Sequence, residues 1–168
     1  MKGGMRSRKG FTLIELVIYT GIFSMLIAAM VFLMRTASDS HARVRTALVL
    51  QADLRFALSR MSSYVRAGDW VSLPSTTSGT TLEISFASSS PAFDPTRVMT
   101  TDGVVTVTRG GGSALAITNS AIDITSLTFH RTTTTPTAVR MTITGKMRNG
   151  VGPSGGYLTL TGAAAIRR

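Results

Sequence analysis

From Phe11 to Met34 the chain reads FTLIELVIYTGIFSMLIAAMVFLM, a run of 24 residues in which Glu15 carries the only charge. An apolar stretch of about 18 or more residues is the mark of a membrane-spanning helix, in which every backbone polar group is satisfied within the segment. At about 1.5 Å per residue the run reaches roughly 36 Å, enough to cross a ~30 Å hydrocarbon core with some tilt. The alternative is a buried core helix. A chain of 168 residues has little else with which to cover so long an apolar rod on all sides.

The charge around this run is uneven. Lys2, Arg6, Arg8 and Lys9 precede it and supply +4 of a net charge of +10. Basic residues beside a hydrophobic span mark its cytoplasmic end, which places the rest of the chain across the membrane. Arg35, Arg43 and Arg45 on the far side weaken that asymmetry. Charged residues make up only 15% and hydrophobic residues 43%, which excludes a disordered chain. The chain has no Cys, so a disulfide framework, a thiolate metal site and a cysteine nucleophile are excluded. Two His and eight acidic residues leave little for a multi-carboxylate metal centre or a hydrolase triad. The sequence pI near 11.4 is compatible with weak electrostatic contact to DNA. The Arg residues form no aromatic-interleaved stripe, so no sequence-specific nucleic acid partner is expected.

A basic start and an apolar run also describe a secretory signal peptide, but the details differ. Such a signal has an apolar region of about 7–15 residues and then a small-residue cleavage site. Here Ala28 and Ala29 lie inside the run, before Met30, Val31 and Phe32. The informative junction is at the near end, Lys9-Gly10-Phe11-Thr12-Leu13-Ile14-Glu15. It resembles the class III signal of type IV prepilins and type II secretion pseudopilins. The resemblance covers roughly residues 5–40. It implies that a prepilin peptidase cuts between Gly10 and Phe11 on the cytoplasmic side and N-methylates the new amino terminus at Phe11. The apolar helix is then kept as the stalk of a filament. A carboxylate inside a span costs about 2.5–3.5 kcal/mol at the helix centre and less near its end, so Glu15 calls for a partner or for the headgroups. The resemblance implies the partner: the amine at Phe11 of a neighbouring subunit or of its own chain, an assembly charge that sets register.

The helix is expected to continue. Residues 35–67 contain no Pro or Gly, and Leu50, Leu54, Ala57, Met61 and Tyr64 recur at helical spacing as one apolar face. Gly68 follows as a C-cap. Beyond it the composition changes to Thr, Ser, Gly and β-branched residues. Period-two alternation at Leu82–Phe86, Val105–Thr108, Ala114–Thr118, Ile122–Phe129, Val139–Thr144 and Tyr157–Thr161 predicts antiparallel strands. Asp102-Gly103 predicts a hairpin turn, and Gly110–Gly112, Thr132–Pro136 and Asn149–Gly156 read as loops. The expected fold class is α+β and pilin-like, a long N-terminal helix packed on a small antiparallel β-sheet head. Its divisions are a basic leader over 1–10, a transmembrane half over 11–34, an amphipathic half over 35–67 and a β-rich head over 68–168.

The head offers little chemistry. His41 and His130 lack ligand-spaced neighbours, and Asp94, Asp102 and Asp123 do not form a calcium loop. Gly110–Gly112 is neither a Walker loop nor a dinucleotide fingerprint. Trp70 is expected to anchor the core. The expectation is therefore a non-enzymatic structural subunit with no metal and no cofactor. The resemblance implies other pilin or pseudopilin subunits, a prepilin peptidase, an inner-membrane assembly platform and membrane lipid as partners. It also implies a single-pass inner-membrane location with the head on the periplasmic or extracellular side. The missing cysteine pair and the lack of a C-terminal acidic cluster point to a minor pseudopilin, and the strand-rich tail loosely resembles the J type. A minor pilin for DNA uptake, adhesion or motility, and an anchored binding protein that never polymerises, are the alternatives.

Overall fold

The computed structural model describes residues 12–73, 78–86, 94–132, 137–148 and 156–166. The chain divides into two compact units, Met1–Ala42 and Arg43–Arg168. Helix α1 (Leu13–Ala67, 55 residues) contributes to both. It has no interior Pro, and its good helix formers run without interruption from the apolar segment into the amphipathic one. In the first unit every described residue except Glu15 is exposed.

The second unit is built on one side of α1. Leu50, Leu54, Ala57, Met61 and Val65 are buried. The expected face is correct up to Met61; its last member is Val65, while Tyr64 is only partly buried beside it. Around this row the described residues form nine strands: β1 (Trp70–Leu73), β2 (Ser78–Gly79), β3 (Leu82–Ser85), β4 (Thr96–Thr101), β5 (Val104–Arg109), β6 (Leu115–Ala116), β7 (Ile122–Arg131), β8 (Ala138–Met147) and β9 (Leu158–Ala165). They form two antiparallel sheets, ordered β1-β3-β4-β5-β6 and β2-β7-β8-β9. The α+β pilin-like architecture is as expected. The head divides its strands between two sheets, because β2 and β3 are separated by only Thr80 and Thr81 yet pair with different partners.

The hairpin at Asp102-Gly103 is present. Thr101 pairs with Val104, and the two turn residues take φ of 52° and 75°, as a two-residue primed turn requires. Its tip is docked on the other sheet, where the Ile124 N–H donates to the Gly103 carbonyl at 2.7 Å. An Arg148 side-chain N–H donates to the Asp102 carbonyl at 2.8 Å. Arg131, at the end of β7, donates to the Val71 carbonyl at 2.7 Å, so a third bond joins the sheets. The core between them holds Phe129, Met141, Ile143, Ile122, Leu82, Ile84 and Val98, all fully buried.

Two expectations need correction. Trp70 is 53% exposed and anchors nothing; Val71, one residue on, points inward instead. Strand alternation forces this, because neighbouring side chains take opposite faces. Gly68 does end the helix, and its N–H donates to the Tyr64 carbonyl at 3.1 Å. Its φ is not positive, however, so left-handed capping is not the reason for a glycine. The reason is close approach: a Cβ at this position would lie 2.1 Å from Ile84 Cγ2. The loop expectations at 133–136 and 149–155 lie outside the described residues.

Two tests follow from this packing. Gly68→Ala is expected to destabilise the protein by about 1–3 kcal/mol through overpacking. On an Ile84→Ala background, where the opposing methyl is gone, the same change should cost clearly less. Urea unfolding of the full chain in neutral detergent measures both, and equal costs would mean that the backbone yields instead of Ile84. The second test concerns acid. Burial alone raises the Glu83 pKa, but the Ser72 hydroxyl at 2.8 Å and the Arg97 guanidinium outweigh it and hold the carboxyl below its ordinary value. A depressed folded pKa gives stability that is complete above the unfolded value, about 4.3, and is lost as pH falls through the folded one. Glu83→Gln should therefore melt lower than wild type at pH 7, with the gap closing below about pH 4. A gap that persists undiminished at pH 3 would contradict this.

Candidate functional site

The chemistry of the first unit begins at its helix N-terminus. Thr12 is the N-cap: its hydroxyl oxygen accepts from the Glu15 N–H at 3.4 Å, and its carbonyl accepts from the Leu16 N–H at 3.2 Å. Thr12-Leu13-Ile14-Glu15 has the S/T-x-x-E form of a capping box. Thr12 was missed as a functional position in the sequence reading, although this spacing was the signal that could have found it. Glu15 stands in the first turn, where a carboxylate is favoured by the positive end of the helix dipole. It is half-buried and makes no ion pair among the described residues. Gly10 and Phe11, the expected cleavage and methylation positions, lie outside the described residues.

Past this turn the helix is apolar and uncovered. Leu13 is 82% exposed, Met25 77% and Phe32 70%, and no residue of its most apolar 18-residue window is buried. Its aliphatic hydroxyls are turned back onto the helix. The Thr20 hydroxyl donates to the Leu16 and Val17 carbonyls at 3.0 and 2.9 Å, and Ser24 donates to Gly21 at 2.8 Å. This is the polar bookkeeping of a helix made for a dry environment, with side-chain donors satisfied locally. Leu16, Tyr19, Ile22, Phe23 and Leu26 line an open apolar groove of about 530 Å³ along one side. Among the described residues α1 is the one helix long and apolar enough to cross a membrane.

The other described residues offer little competing chemistry. His41 and His130 are both exposed. Asp123 pairs with Lys146 at 3.6 Å and Arg148 at 3.9 Å, and Asp94 accepts from the Phe86 N–H at 3.1 Å. No group of three metal-ligating side chains occurs among the described residues. A cleft of about 320 Å³ opens where the chain crosses between the sheets at Thr80 and Thr81. Thr100, Thr125 and Ser126 also line it, and none of its lining residues is titratable, so it holds no acid or base.

Comparison with known proteins gives one match. Residues 5–31 fit the family described as the prokaryotic N-terminal methylation motif. Neither the curated proteins nor the solved structures yield a match. The matched segment contains Gly10, Phe11, Thr12 and Glu15 and continues into the uncovered apolar helix. This is the type IV pilin-like prepilin signal, and it supports membership of the pilin and pseudopilin family.

Proposed function

We propose that the chain is a minor pseudopilin of a type II secretion system, a filament subunit that takes part in pseudopilus initiation and protein export. The observation that carries a pilin-like structural role is the methylation motif over residues 5–31, overlapping a helix whose apolar side chains are exposed among the described residues. In this reading the leader over residues 1–10 is cytoplasmic and is removed at the Gly10–Phe11 bond. Phe11 becomes the N-methylated terminus, and the helix passes from membrane to filament through contacts with the stalks of other subunits. Glu15 supplies the counter-charge for a Phe11 amine in a dry helix bundle, where an unpaired charge is costly.

Processing is the direct test. Co-expression with a prepilin peptidase should give a protein that begins at N-methyl-Phe11, read by intact mass. Gly10→Leu should leave the leader attached, because a bulky side chain crowds a site that takes a residue without Cβ. A terminus still at Met1 in the wild type, or one near Ala29, would overturn the reading.

The role of Glu15 is tested separately. Glu15→Ala should leave insertion intact or improved, since an intramembrane carboxylate is removed. Cross-linking between stalks in membranes should fall severalfold at equal protein level. Equal yields would mean that the carboxylate only reaches the headgroups, and would favour the anchored protein that never polymerises.

A further inference from the structure

We propose that Arg60, Tyr64 and Arg109 form a binding site for a phosphate group. Arg60 and Tyr64 stand one turn apart on α1, and the Arg60 guanidinium carbon lies 5.3 Å from the Tyr64 ring centre. Arg109 is the last residue of β5 and shares a row with Val71, Ile84 and Thr96, all buried against the helix side of the sheet. That row aims Arg109 at the same ring, also at 5.3 Å, and its Nη2 donates to the Tyr64 hydroxyl at 3.1 Å. The two guanidinium carbons are therefore no further apart than twice the ring distance. Arg60 is exposed, and Tyr64 and Arg109 are half-buried, so the cluster is open to solvent.

What it lacks is an anion. Neither guanidinium makes an ion pair among the described residues. The nearby carboxylates are committed elsewhere: Glu83 to Arg97, Asp53 to the Asn119 N–H, and Asp94 to the Phe86 N–H. Two local terms offset part of the positive charge. Each guanidinium is attracted by the negative face of the ring. The negative end of α1 favours the Arg109 cation, which is held beside Tyr64 in the last turn. Neither term neutralises two full charges, and like charges no more than about 11 Å apart still repel near a surface.

The donors favour phosphate over a single carboxylate. One guanidinium already matches both oxygens of a carboxylate. Two guanidiniums and a phenol offer more donors, suited to the several oxygens of a tetrahedral anion. The Tyr64 hydroxyl accepts from Arg109, which leaves its own proton to give to a ligand. Gly110, Gly111 and Gly112 follow Arg109 directly and bring no side chain to cover it.

Calorimetric titration of the full chain in maltoside micelles with inorganic phosphate at low ionic strength is the test. One phosphate should bind per chain. Arg60→Gln should weaken binding at least tenfold, and Tyr64→Phe, which keeps the ring and removes the donor, about threefold. Arg55→Gln, an exposed arginine on the same helix outside the cluster, should leave binding unchanged. Arg109→Ala also removes the bond to Tyr64, so Arg60→Gln decides the outcome. No saturable binding, or equal losses in Arg60→Gln and Arg55→Gln, would overturn the site. Competition with a thymidylate octamer and with glycerophosphoglycerol then identifies the source. Displacement by the first assigns a nucleic-acid backbone, displacement by the second a lipid headgroup, and displacement by neither a small phosphate ester.

Discussion

The row Leu50, Leu54, Ala57, Met61 and Val65 is the interaction on which the second unit depends. At about 1.5–3 kcal/mol for each large apolar side chain, its burial amounts to a gross term on the order of 10 kcal/mol. That is as large as the whole net stability of an ordinary domain. Neither sheet could lose it and remain folded on the same terms. The row is shared: Leu54 approaches Gly145 of β8, where a Cβ would sit 3.3 Å from its Cδ2, while Ile84 of β3 closes on Gly68 at the helix end. One helix face thus fixes the position of both sheets.

Because the sheets meet over one helix, their edges must be reconciled. A short strand pair, β2 and β3, crosses from one to the other within Thr80 and Thr81. The β4–β5 hairpin tip is received by the Ile124 N–H, and Arg131 and Arg148 donate to carbonyls of the opposite sheet. These bonds satisfy backbone groups that would otherwise face a seam between sheets, where an unpaired acceptor costs about 1–3 kcal/mol. The ion pairs of Asp123 with Lys146 and Arg148 lie at the same seam, but they are partly exposed and worth little individually.

The legible parts of the sequence were those in which one physical demand acted alone. β5, β8 and β9 alternate cleanly, β7 does so on either side of a bulge between Ile124 and Ser126, and Asp102-Gly103 is readable because a left-handed pair at a hairpin tolerates few other residues. β4 was missed because Thr96 is buried at a position where alternation expects an apolar side chain. β1 was missed, and Trp70 misplaced, because four residues directly after a helix give too little pattern to tell one face from the other. Gly68 was found for the wrong reason: capping is a local signal, whereas the approach of Ile84 comes from the tertiary fold. At the N-terminus, Glu15 was legible as a lone charge in an apolar run. Thr12 was overlooked because its hydroxyl matters only once the helix start is known. Arg60 and Arg109 were invisible as a pair, since only the sheet register brings them to one tyrosine.

The two units are unfinished in opposite ways. The first satisfies its polar groups and leaves its apolar ones uncovered: the Thr20 and Ser24 hydroxyls return to the helix backbone, while Leu13, Met25 and Phe32 stay largely exposed among the described residues. In the proposed reading lipid or the stalks of further subunits cover them, and a single helix suits both because it exposes no unpaired backbone inside its length. The second unit buries a core and leaves the Arg60 and Arg109 guanidiniums without an ion pair among the described residues. A subunit that moves from a membrane into a filament needs the first kind of incompleteness. It does not need the second, which assembly through the stalk leaves unexplained. Charge left unpaired beside an open tyrosine hydroxyl is therefore the part of the structure that asks for a ligand of its own.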